Sequence, residues 1–150
     1  MRQKITYVLC AMLLIFIWGN SLLNQENSQN ESAWILNLLS PLFDSIFGEG
    51  RVTLYLLRRA AHLIEYTCLG VLSSIVLNKH INKRTNKLTY VGFFSLSLGL
   101  FVAVIDETIQ YFSGRTSTVL DVWLDMSGVL AGTCIVLLIL FIVSSRPNRR

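Results

Sequence analysis

Six side chains able to carry or exchange a proton stand among apolar residues in this chain: His62, Glu65, Asp106, Glu107, Asp121 and Asp125. Such groups are costly inside apolar segments and face other polar groups or a wet cavity when they are kept. His62 with Glu65, Asp106 and Glu107 supplies the parts for acid–base chemistry. The same set would suit a divalent metal with imidazole and oxygen ligands. Arg58 and Arg59 precede His62, and Arg115 precedes Asp121. Arginine binds phosphate through two parallel hydrogen bonds, so Arg59 and Arg115 point to a phosphate-bearing ligand. With His62 neutral, Arg58, Arg59 and Arg115 oppose Glu65, Asp106, Glu107, Asp121 and Asp125, three positive charges against five negative. Unpaired buried carboxylates are expensive, so the surplus calls for protons, water, an external cation or a cationic ligand. Nucleophilic catalysis has less support, because no sequence context activates Ser113, Ser117 or Thr118.

These residues need elements that hold them in register. Hydrophobic residues make up 53% of the 150 and charged residues 15%, where a soluble domain carries about 25% charge. Four stretches have the roughly 20 apolar residues a membrane span requires, at about 5–23, 60–77, 88–110 and 119–143. The expected fold is all-α: a single-domain integral membrane four-helix bundle. Arg59, His62 and Tyr66 share one face of the second span at i, i+3 and i+7, as Asp121, Asp125 and Gly128 do on the fourth. On the third, Asp106 and Gln110 are four apart and Glu107 and Gln110 three apart. At 1.5 Å per residue, Glu65 lies about 9 Å deeper than Arg59. Alternating span direction then brings the polar residues of three helices to one depth, where they can form one pocket.

Simpler readings exist for single residues. Arg58 and Arg59 can snorkel to headgroups, and Thr118 to Asp121 reads as a capping box at the start of the fourth span. His62 alone reads as a hydrogen-bonded packing residue, and Tyr66 and Tyr111 suit an aromatic belt. Gly128 and Gly132 form a small-xxx-small face for close helix packing. Cys10, Cys68 and Cys134 lack metal-ligand or redox spacing and read as small hydrophobes. What the simpler readings leave over is the coincidence of depth.

The positive-inside rule gives an orientation. With the N-terminus cytoplasmic, Arg2, Lys4, Lys79, Lys83, Arg84, Lys87, Arg146, Arg149 and Arg150 all lie inside, nine of the thirteen basic residues and none of the nine acidic ones. Both termini are therefore expected in the cytoplasm and the polar cluster in the outer leaflet. The surplus charge is juxtamembrane, which argues against nucleic acid as a partner. The first span is expected to be a retained helix, because no small-x-small cleavage site follows it cleanly. Between the first two spans, residues 24–30 read as a polar loop. Ile35, Leu38, Leu39, Leu42 and Ile46 then recur at helical spacing, with Pro41 as a candidate kink. That segment is expected to lie in the outer interface with Trp34 at headgroup level, or to cap the bundle.

Two motifs carry a resemblance. Arg59-Ala60-Ala61-His62-Leu63-Ile64-Glu65-Tyr66 followed by Leu69-Gly70, and Asp106-Glu107-Thr108-Ile109-Gln110 followed by Gly114-Arg115, Asp121-Val122, Gly128 and Gly132, resemble the VanZ-like membrane proteins. The likeness covers roughly residues 55–135. Asp125 stands where that family often has asparagine, and the loop lacks the proline that commonly precedes its glycine–arginine pair. The resemblance implies a bacterial envelope protein in the plasma membrane, from a family named for association with resistance to the glycopeptide teicoplanin. By position, it assigns motif roles to Arg59, His62, Glu65, Tyr66, Asp106, Glu107, Gln110, Arg115 and Asp121.

Two functions fit. One is a binding factor whose outer-leaflet pocket takes a membrane lipid, a lipid-linked wall precursor or a lipoglycopeptide. The other is a membrane-embedded hydrolase or transferase acting on an envelope lipid through His62, Glu65, Asp106 and Glu107. Neither a substrate nor an oligomeric state follows from the residues.

Overall fold

A computed structural model describes residues 2–81 and 86–145. The described residues form five helices: α1 (Arg2–Ser21), α2 (Gln25–Phe47), α3 (Leu54–His80), α4 (Lys87–Phe112) and α5 (Val119–Ser144). All but α2 are long and apolar enough to cross a membrane. Lys83, Arg84, Arg146, Arg149 and Arg150, which enter the orientation argument, lie outside the described residues.

Local chemistry explains two boundaries that composition conceals. The Asn24 side chain accepts a hydrogen bond from the Asn27 amide at 2.9 Å, and this cap starts α2 inside the polar segment expected to be a loop. Thr53 likewise caps α3 through the Leu56 amide at 3.3 Å, six residues before the expected start at 60. Pro41 lies within α2, which stays helical on both sides. Proline has no N–H for the carbonyl four residues back, and the Ser40 hydroxyl donates to that Asn37 carbonyl at 3.0 Å instead.

The centre of the bundle is the parallel pair α3 and α5, with α4 antiparallel against both and α1 on the α3–α4 side; α2 rests on α3. Glycine makes the central crossing possible. A Cβ at Gly132 would stand 2.1 Å from the Thr67 carbonyl oxygen, and one at Gly128 2.7 Å from that of Leu63. Backbone cannot yield as a flexible side chain would, so both positions exclude larger residues. The small-residue face of α5 is thus spent inside the chain, on α3.

The polarity is that of a protein solvated by lipid. Ile15, Phe93, Phe101, Leu138 and many other large apolar side chains point outward, while Ser73, Ser74, Ser95 and Thr133 are buried. Those four hydroxyls join α3, α4 and α5 through contacts of 2.6 Å (Ser73–Ser95) and 3.0 Å (Ser95–Thr133). Without a hydrophobic drive between helices in lipid, hydrogen bonds and close packing of small residues hold the bundle. One end of it holds Lys79, whose ammonium donates to Thr6 at 3.3 Å. The motif residues occupy the other end.

Candidate functional site: a buried polar cluster beneath an arginine-lined cavity

His62 is the meeting point. Its Nδ1 lies 3.4 Å from Asp125 Oδ1 and 3.9 Å from Asp106 Oδ2, so α3, α4 and α5 each supply one member of a triad. Asp106 is fully buried and Asp125 is 1% exposed. Asp106 is held on both oxygens: Ser21, the last residue of α1, donates to Oδ1, and Gln110 Nε2 donates to Oδ2 at 3.0 Å. Gln110 also donates to Glu107 Oε1 at 3.2 Å. Asp125 Oδ2, by contrast, is buried with no hydrogen-bond partner. Tyr66 packs at the base, fully buried, its ring stacked on His62 with centroids 6.5 Å apart.

Arginines line the way in. A cavity of about 430 Å³ opens over the cluster, bounded by Arg58, Arg59 and Arg115 together with His62, Glu107, Asp121 and Asp125. Arg59 pairs with Asp121 at 3.2 Å and lies over the Tyr55 ring, 4.3 Å from its centroid. Asp121 is therefore engaged across the cavity. The expected capping box does not form: the Thr118 side chain makes no capping bond to the helix, and its hydroxyl donates to Asp121 Oδ2 at 2.7 Å.

Arg115 is placed by the end of α4. Gly114, at φ +76°, takes the left-handed conformation that lacks a Cβ penalty. The Arg115 amide then reaches the Gln110 carbonyl at 3.0 Å and the Gly114 amide that of Tyr111 at 3.2 Å, the two bonds of a Schellman motif. This turn sends Arg115 inward, 7% exposed, where Nη1 donates to the Asn20 carbonyl in the last turn of α1 at 3.1 Å. Burial lowers its pKa from the ordinary value, and neighbouring Arg58 adds to the effect. Arg115 is a fixed part of the cavity wall.

The VanZ/LLP1 family model matches residues 4–141. The chain belongs to the VanZ/LLP1 family. No curated protein and no solved structure matches it. The nine motif positions of this VanZ/LLP1 chain lie at one end of the bundle, and its helices give them unequal places. Arg59, His62, Glu107, Gln110, Arg115 and Asp121 line the main cavity. Asp106 and Tyr66 are packed beneath them. Glu65 lines a second cavity of about 250 Å³ with His62, Arg58, Arg115 and, from α2, Glu31. It makes no hydrogen bond or ion pair among the described residues. The carboxylates nearest His62 Nδ1 are Asp125 and Asp106, while Glu65 shares the second cavity with His62; Asp125 joins the Glu65, Asp106 and Glu107 that the sequence grouped with this histidine. Ser21 and Asn20 were not among the residues singled out from the sequence, and Ser117 was weighed only as a nucleophile. Ser117 Oγ donates to Glu107 Oε2 at 2.5 Å, a contact that only the fold of the 113–118 loop creates. Ser21 had one usable signal, a polar residue within an apolar span.

Proposed function

We propose that this VanZ/LLP1 protein binds a phosphate-bearing envelope lipid, such as a lipid-linked wall precursor, at an outer-leaflet pocket. One observation carries the reading. Arg59 and Arg115 line one cavity, and each engages one terminal nitrogen, with Asp121 and with the Asn20 carbonyl, leaving further N–H groups uncommitted. A guanidinium with unspent donors in a concave wall is suited to a phosphate, which accepts from two N–H groups at once. The apolar outer face of the helices would let the lipid's tail remain in the bilayer while its headgroup enters the cavity. Both termini are cytoplasmic in this reading, because the basic residues gather at the opposite end. Withdrawal of a wall precursor or exclusion of a lipoglycopeptide from its membrane target would link the pocket to teicoplanin tolerance.

The test is photocrosslinking of a phosphate-bearing envelope lipid to the purified protein in nanodiscs. Arg59→Ala and Arg115→Ala should each abolish crosslinking at equal folded abundance. Unchanged crosslinking in both would remove the proposal. Expression in a susceptible Gram-positive host reads the phenotype: tolerance to teicoplanin and not vancomycin, lost with Arg59→Ala.

A second reading, a membrane-embedded hydrolase or transferase, draws on the Ser117–Glu107 hydrogen bond beside the His62 cluster. A carboxylate that accepts from a hydroxyl is one arrangement that activates a nucleophile. Turnover of an envelope lipid by the wild type, absent in Ser117→Ala, would favour it.

A further inference from the structure

We propose that His62, Asp106 and Asp125 form a binding site for one divalent transition-metal ion. The inference does not rest on the phosphate-binding reading, since it concerns groups beneath the arginines. Each of the three residues offers one ligand atom, and the three atoms lie within 4.8 Å of one another. Donors bound to one tetrahedral ion at about 2.1 Å stand about 3.4 Å apart, and His62 Nδ1 and Asp125 Oδ1 are separated by 3.4 Å.

Charge argues the same way. Two carboxylates at 0% and 1% exposure flank a single imidazole. The nearby guanidiniums direct the hydrogen bonds they make elsewhere, Arg59 to Asp121 and Arg115 to the Asn20 carbonyl. Neither donates to Asp106 or Asp125 among the described contacts. A divalent cation supplies the charge that the protein withholds.

The arrangement around the triad is that of a metal site with one adjustable ligand. Asp106 is oriented by Ser21 and Gln110, the kind of outer support that fixes metal ligands. Asp125 keeps a buried, unpartnered Oδ2, so its carboxylate is free to turn toward an ion or bind it through both oxygens. His62 and Asp125 also line the main cavity, which leaves a coordination position open to water or a ligand oxygen. One imidazole with two carboxylates suits manganese or zinc, and lacks the thiolates that select copper(I).

The experiment uses the full chain, purified in detergent without a polyhistidine tag, stripped of metal and titrated with Mn2+ and Zn2+. One equivalent should bind, with loss of binding in His62→Ala and Asp125→Asn and retention in His80→Ala. Pulsed electron paramagnetic resonance on Mn2+-loaded protein gives an independent reading if those variants fail to fold. The sequence has two histidines, so imidazole-nitrogen coupling that persists in folded His80→Ala must come from His62. Absence of binding by the wild type would overturn the proposal. So would binding that survives both site substitutions, or nitrogen coupling that disappears with His80→Ala.

Discussion

At the scale of single residues, the site separates groups by how expensive they are to disturb. Asp106 is fully buried and depends on Ser21 and Gln110. Removing one donor from a buried charged acceptor costs about 1–3 kcal/mol. Ser21→Ala should therefore lower the thermal midpoint in detergent clearly, while Ser127→Ala, whose hydroxyl serves only its own helix at Leu124, should barely move it. Asp121 is a different case. Its pair with Arg59 is partly exposed on both sides, and such pairs contribute about 0–1 kcal/mol. Asp121→Asn should leave stability nearly unchanged. It should also tighten binding of a phosphate-bearing lipid, because Asp121 competes with phosphate for the Arg59 guanidinium. Weaker binding in Asp121→Asn would mean that the carboxylate holds Arg59 in place and does not compete with the ligand. The residue types of the site were legible from apolar surroundings alone. Their partners were not, since side-chain identity leaves helix rotation undetermined. Asp125, which reaches His62 from α5, is one such partner, since spacing along α3 cannot assign a residue of another helix.

At the scale of elements, glycine decides how the helices meet and where the loop goes. Gly132 sits against the Thr67 carbonyl with no room for a methyl group, so Gly132→Ala must push α3 and α5 apart. Overpacking of this kind costs about 1–3 kcal/mol. Because α3 and α5 carry His62 and Asp125, the same change should reduce metal and lipid binding together. Gly114 presents the opposite situation: a Cβ there would meet nothing within 4 Å, but its φ is +76°. Gly114→Ala should cost about 1–2 kcal/mol through backbone conformation alone, and Gly114→Asn, which tolerates this region better, should recover part of it. Denaturation of the three variants in one detergent compares them directly. The four spans and the small-residue face were readable because hydropathy and i, i+4 spacing are properties of the chain itself. The helix start at Gln25 was missed because its polar composition looks like loop, and the start at Leu54 because Arg58 and Arg59 interrupt the apolar run; the Asn24 and Thr53 caps set both.

At the scale of the whole molecule, the two ends of the bundle differ in charge and in chemistry. Lys4, Lys79 and Lys87 lie toward one end, and the arginine-lined cavity and α2 lie at the other. Charge bias in short loops sets orientation during insertion, and it predicts that the cavity faces outside. The expectation that α2 lies in the membrane interface on the same side as the cavity is open to the same test. Trp34, Leu38, Leu42 and Ile46 are exposed on it, as befits a helix lying along the interface rather than across the bilayer. Labelling of single cysteines decides the matter. In a background with Cys10, Cys68 and Cys134 replaced by serine or alanine, Ser45→Cys in α2 should react with an impermeant maleimide in intact cells. Ser145→Cys, just past α5, should react only after the membrane is opened. The reverse pattern would put the cavity in the cytoplasm, where it could not meet an extracellular lipoglycopeptide, while leaving its fit to a phosphate or a metal ion untouched. Topology thus separates the envelope role from the binding chemistry, and the two can fail independently.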